Sequence, residues 1–418
     1  MDQTKHLQAI EAIKKKLRGR RLDYKEIYTL MDEISHDRLG DVLTAYFVAS
    51  GFKDGFNEDE LYYLTKAMVE TGSKIEFPGI VADKHSIGGL SGARATMIIV
   101  PIVAAAGFYM PKTSSRAITS PAGTADVMEI CAKVTFTPEQ MKQIVNNVGG
   151  CIVWGGHLGI APADDVIIRV EEPLSYESFD KVIVSIMAKK IAMSTNHLVL
   201  DIPLGPTMKI KYKKDADVVA AKFSKICKKF NIDVFVDIHN TTQPAGNGIG
   251  PYLEAVDVLK VLEQDKDRPM DLENRSLRLA GKLLDMCLKT AGKPQNGDEL
   301  AAQILSDGSA LKKFKEIVKA QHGDPDMNWR KPVHKVYHHE IPAAQSGTIK
   351  HINNYNLHSL AKVLGAPGDI YAGLYLNKRL DDKVSKNDTM FTFYASQKND
   401  IEEAIETLKM FPIYTIES

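Results

Sequence analysis

Residues 83–130 read DKHSIGGLSGARATMIIVPIVAAAGFYMPKTSSRAITSPAGTADVMEI, and they gather most of what a phosphate-handling loop system requires. Lys84, His85 and Ser86 run into Gly88, Gly89 and Gly92, so the chain can turn tightly there and leave N–H groups bare toward an anion. The apolar run Met97–Ala106 reads as a helix with Pro101 near its first turn, its N-terminus aimed at the glycine loop. Its β-branched portion, Ile98–Ala106, also fits a strand. Ser114, Ser115, Arg116, Thr119, Ser120 and Thr124, around Pro121 and Gly123, form a second, donor-rich loop suited to phosphate or sugar hydroxyls. Singly, glycines make turns and serines cap helices; two such clusters in one short span are harder to explain that way. The first loop lacks the Gly-Lys-Ser/Thr ending of a P-loop and the Gly-x-Gly-x-x-Gly spacing of a dinucleotide fold.

Working outward, the chain has 418 residues, enough for two or three domains of about 100–200 residues each. Its 53 basic residues balance 53 acidic ones, so no global field draws it to nucleic acid or an anionic membrane, and any anion site must be local. The longest apolar run, around Met97–Met110, is short of the roughly 20 residues that span a bilayer. The N-terminus is amphipathic and charged, without a signal peptide's apolar centre, which predicts a cytoplasmic protein. Its basic patch, Lys14 to Arg21, lacks interleaved aromatic residues and reads as a solvated helix face rather than an RNA site. Cys131, Cys151, Cys227 and Cys287 lie far apart without metal-ligand spacing and read as buried apolar residues.

Residues 1–70 show helical periodicity, at 7–18, 24–33, 39–49 and 58–71. Short apolar stretches then alternate with helices, at Val134–Phe136, Cys151–Trp154, Leu198–Ile202 and Val234–Ile238, the pattern of a mostly parallel sheet with crossover helices. A strongly helical stretch at 182–193 resembles the N-terminal helices, as though the chain returned to them. The expectation is therefore a multidomain α/β protein. A split helical domain (1–70 plus 165–195) stands across a ligand cleft from a mostly parallel α/β domain (71–164 plus 196–333), and a C-terminal α+β domain (334–418) follows.

KTSSRAITSPAGTADV at Lys112–Val127, VWGGHLGIAPADD at Val153–Asp165, SIMAKK at Ser185–Lys190 and LDIPLG at Leu200–Gly205, together with Asp83–Ser86, resemble the thymidine and pyrimidine nucleoside phosphorylases, most of all the archaeal-type AMP phosphorylases. The resemblance covers nearly the whole chain. It implies that Gly89, the run Ser115, Arg116, Ala117, Ile118, Thr119 and Ser120, Thr124, Ser185 and Lys209 bind substrate. It further implies phosphate contacts at Lys84, Ser86, Ser114 and Thr124, with Thr96 in place of a family serine, His85 over the nucleoside, and Lys189 at the base. Lys189 and Lys190 are about 100° apart on a helix, so only one can face the cleft, and the other is expected at the surface. The family's proton-donor aspartate aligns with Glu177, and the arginine that contacts the pyrimidine aligns with Glu171. The extra domain that precedes the helical one in AMP phosphorylases has no counterpart in this sequence. A homodimer is implied.

Phosphorolysis at C1′ of a ribose requires a held phosphate opposite the base and a proton or hydrogen bond for the departing base, here from Glu177 or His85. Inorganic phosphate is the co-substrate, and neither metal nor organic cofactor is required. The surplus of cations, Arg94, Arg116 and Lys209 beside Lys84, predicts a nucleoside 5′-monophosphate of AMP type, with Glu171 facing an exocyclic amine. The alternatives are a pyrimidine nucleoside phosphorylase, a phosphoribosyltransferase with Asp126 and Glu129 as metal ligands, and an inert nucleotide-binding protein.

Overall fold

A computed structural model describes residues 3–51, 55–117, 120–171, 178–294, 296–333 and 335–417. Helices α1 (Gln3–Leu17), α2 (Tyr24–Ser35), α3 (Asp41–Ser50) and α4 (Glu58–Glu70) open the chain. Asp23 and Asn57 cap α2 and α4 through boxes closed by Glu26 and Glu60, which satisfy the N–H groups that each helix leaves unpaired. The chain continues through β1 (Ala82–Ser86), α5 (Ala95–Ala105), β2 (Met110–Ser114), α6 (Thr124–Glu129), α7 (Pro138–Val148) and β3 (Gly150–Trp154). Helices α8 (Pro162–Glu171) and α9 (Phe179–Ala192) return to the bundle, where α9 packs on α4 and α8 on α2 and α3. Next come β4 (His197–Leu204), α10 (Lys213–Lys229), β5 (Asp233–Asn240), the two-residue β6 (Gly248–Ile249), α11 (Pro251–Leu262), α12 (Met270–Thr290), α13 (Gly297–Ser306) and α14 (Ser309–Ala320). The C-terminal part holds β7 (Tyr337–Pro342), β8 (Gly347–Ile352), α15 (Asn354–Val363), β9 (Gly373–Leu376), β10 (Lys383–Val384), β11 (Thr389–Ala395), α16 (Lys398–Met410) and β12 (Tyr414–Glu417).

Strands β1, β4 and β5 pair in parallel, as do β2 and β3, and the parallel bridge Val81–Tyr109 joins the two sets in the order β3-β2-β1-β4-β5. Alternation along the strands feeds cores on both faces. Ala82, Ile152 and Val199 join α5 and α11–α14 on one face, whereas Leu198, Leu200 and Ile202 on the other join the bundle, α9 and α10. From β1 the chain passes to β2 on one side; from β4 it passes to β5 on the other. Their carboxyl ends therefore form the reversal point at which open α/β sheets bind ligands. The C-terminal part has its own core, but its four-stranded sheet, β6-β9-β11-β7, borrows an edge strand from the α/β part.

Some expectations are corrected. Met97–Ala106 is helical, and Pro101 sits in the interior of α5, where it removes a ladder hydrogen bond; the helix is buried along almost all its length, so packing overrides that cost. Val134–Phe136 is not a strand: Thr137 and Pro138 cap the helix that follows, and only the Val134 carbonyl, accepting from Trp154 N at 2.8 Å, engages β3. Strands β1 and β2 were hidden by their charges, Asp83, Lys84 and Lys112, which read as loop.

Candidate active site

Those charges are buried and paired. Lys112 and Lys190 approach the two oxygens of Asp83, at 3.3 and 2.6 Å, so α9 is tied to β1 and β2. Lys190, expected at the surface, is 1 % exposed. Burial lowers its pKa, and its own counterion Asp83 only partly offsets that. One residue along β1, Lys84 contacts Asp201 of β4 at 3.3 Å, and Arg275 of α12 donates to both Asp201 oxygens at 2.8 and 2.6 Å. Burial opposes the charge of Asp201, but Lys84, Arg275 and His239 win and hold it at about 2, helped by a hydrogen bond from Ser86. Burial lowers the pKa of Lys84 despite that partner. Asp237 and His239 lie beside Asp201 in a geometry that could take a metal, with Arg275 against Asp201 and His239 Nε2 and Arg278 against Asp237.

After Ser86, Gly88, Gly89 and Gly92 all take the left-handed backbone, at φ 89°, 92° and 61°. A Cβ on Gly89 would stand 3.0 Å from Lys209 N, so this glycine serves both the turn and a close approach, and Lys209 flanks the loop. Thr96 is buried at the start of α5.

Ser114 and Ser115 leave the carboxyl end of β2. The loop folds on itself: Ala125 N donates to Ser115 O at 3.2 Å, and Asp126 accepts from Ala117 N and Gly123 N, each at 2.7 Å. Thr124 opens α6 and accepts from Arg94 at 3.2 Å. Ser120 turns inward, its hydroxyl donating to Ala122 O at 2.8 Å. Ile118, Thr119 and Glu177 lie outside the described residues.

On the helical side, Asp164 of α8 accepts from Ser185 at 2.8 Å and pairs with Lys189 at 2.6 Å, presenting both residues from one carboxylate. Burial works against the charge of Lys189, but Asp164 and Asp165 raise its pKa. Burial, reinforced by Asp164 and opposed by Lys189, pushes Asp165 up to about 6. Both aspartates escaped the sequence reading as ordinary helix-start acids. His85 lies in the combined field of Lys190, Lys112, Lys84 and Lys189, and burial first, then these charges, push its imidazole well below its usual range. It is neutral at pH 7, a hydrogen-bonding group rather than an acid.

Three charges counted toward the substrate have partners within the protein. Arg116 is held by Glu129, at 2.5 and 2.8 Å, and by Asp126 at 3.1 Å, over the ring of Trp154. It lines a cavity of about 350 Å³ with Tyr252, Trp329 and Tyr371. Arg94 pairs with buried Glu254. Glu171 pairs with Lys181 at 2.5 Å. The partner of Arg94 is 160 residues away, whereas those of Arg116 and Glu171 lie 10 to 13 residues along the chain.

Three family descriptions match in the same order as the architecture. "Glycosyl transferase family, helical bundle domain" covers residues 10–72, "Glycosyl transferase family, a/b domain" covers 79–311, and "Pyrimidine nucleoside phosphorylase C-terminal domain" covers 348–411. A putative thymidine phosphorylase of Bradyrhizobium diazoefficiens is 43 % identical over 389 residues, 93 % of this chain and 74 % of that protein. The AMP phosphorylase of Methanococcus vannielii is 40 % identical over 410 residues, 97 % of this chain and 80 % of that one. The chain belongs to the thymidine and pyrimidine nucleoside phosphorylase family. It is a pentosyltransferase with nucleoside phosphorylase activity, acting on a small nucleoside-type substrate and phosphate. The phosphorylase fold extends further: anthranilate phosphoribosyltransferase from Thermus thermophilus superposes with a TM-score of 0.62 at 18 % identity, covering 75 % of this chain and 99 % of that one. Among the described residues no helix is long and apolar enough to cross a membrane.

Proposed function

We propose that this phosphorylase cleaves a nucleoside 5′-monophosphate of AMP type, with inorganic phosphate as co-substrate and no metal or organic cofactor, releasing free base and ribose 1,5-bisphosphate. In this reading Lys84, Ser86, Thr96, Ser114, Ser115 and Thr124 hold the attacking phosphate, and Ser185 and Lys189, set by Asp164, hold the nucleoside. A phosphate oxygen bonds to C1′ while the C1′–N bond breaks, its electron pair leaving with the base. The base takes a proton from Glu177 and a hydrogen bond from neutral His85.

The observation that carries the 5′-phosphate is the placement of two separate lysines about the glycine loop, Lys84 on the strand before it and Lys209 against Gly89. Two stations suit two phosphates. A second reading, a pyrimidine nucleoside phosphorylase, is favoured by the engagement of Arg94 and Arg116 with carboxylates, which leaves fewer cations for a second phosphate. The test is kcat/KM for AMP, CMP and UMP, their dephosphorylated nucleosides and thymidine, with and without Lys209→Ala. The AMP reading expects the substitution to penalise 5′-monophosphates selectively; a preference for thymidine or uridine overturns it. We propose further that the enzyme is cytoplasmic and a homodimer; Leu7, Val42 and Tyr46, which stand exposed on α1 and α3, support the dimer, which sedimentation checks.

A further inference from the structure

The C-terminal part reaches the glycine loop through one amide. Asn353 caps α15, accepting from Tyr355 N and Asn356 N at 3.0 and 3.1 Å. The next residue, Asn354, is free of that duty and turns across to the α/β part. Its Nδ2 donates to Gly89 O, and its Oδ1 accepts from Ser91 N at 2.9 Å. The side chain is buried, and both of its polar ends are spent on the backbone of the loop. Neighbouring contacts reinforce the grip. Tyr355 donates to Met208 O at 3.2 Å, beside the residue that faces Gly89. Arg379 donates to Pro244 O and, at 2.9 Å, to Gly246 O. That segment in turn holds the loop: Ala245 N donates to Ser91 O at 3.2 Å, and Gly246 packs on Gly92. Ser91 is thus held at both its N–H and its C=O.

A loop with three glycines has much conformational freedom to lose, so an anion would have to order it unless something else already did. An external amide that pairs with the loop's own N–H and C=O does this ahead of binding, and preorganisation of that kind appears as affinity. We propose that Asn354 is a positioning residue for phosphate, through which the C-terminal part sets the glycine loop in its anion-binding shape. This rests on the reading that residues 84–92 hold the phosphate.

The test uses the full chain with Asn354→Ala, Asn354→Asp and, as a control on the site, Ser86→Ala. Initial rates are measured with inorganic phosphate varied at saturating concentrations of a nucleotide or nucleoside that the wild type turns over, then the reverse, alongside melting midpoints. Asn354→Asp is the informative variant. A carboxylate in the first turn of α15 favours the helix and still accepts from Ser91 N, but it sets an oxygen against the Gly89 carbonyl. A purely structural Asn354 would leave phosphate KM unmoved in that variant. The expected result is a phosphate KM raised about tenfold or more in both Asn354 variants, equivalent to ~1.4 kcal/mol, with kcat and the other KM little changed. If Ser86→Ala raises phosphate KM and the Asn354 variants do not, the inference falls and the phosphate reading stands. If Ser86→Ala leaves phosphate KM unchanged, the reading falls and the inference with it.

Discussion

Asp201→Asn tests the charge system under the site most severely. Asp201 is fully buried and neutralises two buried cations, Lys84 at 3.3 Å and Arg275 at 2.6 Å. Removing one partner from such an arrangement costs about 3–5 kcal/mol, because the remaining charge stays in a poor solvent. At ~2–4 °C per kcal/mol, the melting midpoint should drop by roughly 10 °C. Lys84 offers partial relief: burial already lowers its pKa, and without Asp201 it sheds its proton more readily. That relief has a functional signature. Uncharged Lys84 loses a charge-assisted contact worth ~1.5–3 kcal/mol, so phosphate KM should rise by about tenfold or more at pH 8 and by less at pH 6, because lower pH favours the protonated lysine. In the wild type, Asp201 has a depressed folded pKa, near 2. Its stabilisation is complete above the unfolded value of about 3.9 and is lost as the pH falls through 2. The assays are scanning calorimetry and phosphate titration at both pH values. A midpoint within about 2 °C of the wild type, with an unchanged phosphate KM at pH 8, would refute the reasoning.

Asp164→Asn should free Ser185 and Lys189, raising the KM for the nucleoside substrate about tenfold while phosphate KM holds; equal effects on both would remove the division of labour between the two sides of the site. His85 has a depressed folded pKa, so its neutral form is favoured by folding. Its contribution is complete above about pH 6.5 and is lost as the pH falls, by up to ~1.4 kcal/mol per unit. His358, pushed down to about 4 by burial, adds a similar term. Denaturant melts at pH 7 and 5.5 should therefore show a smaller acid loss in His85→Gln than in the wild type, and identical losses would contradict a half-buried, neutral His85.

The helical bundle was legible in the sequence because its apolar residues recur at helical spacing and its caps are local, as at Asp23 and Asn57. Strands β1 and β2 were not. Asp83, Lys84 and Lys112 make them look solvated, and only partners from β4 and α9 render those charges tolerable in a sheet interior. The site divided along the same line. Residue types and motifs located the two loops and α9, but whether a cation was available depended on carboxylates that only the fold brings near: Glu254 for Arg94, Glu129 for Arg116 and Asp83 for Lys190. Asn354 was invisible for a related reason, since it lies far along the chain from Gly89 and its amide serves main-chain atoms that carry no residue identity.

The loan of β6 to the C-terminal sheet limits how this chain can be cut. Where Ile249 meets Gly373 the two backbones approach so closely that a Cβ on Gly373 would fall 2.0 Å from the Ile249 carbonyl. A fragment beginning near residue 335 would keep its own core yet lose this cover, leaving the open edge of β9 with unpaired N–H and C=O groups ready to pair with another molecule. A fragment ending there would keep β6 with nothing to pair it. Each half would carry a surface suited to the other, so two separately made halves should recombine more readily than either should stay soluble alone.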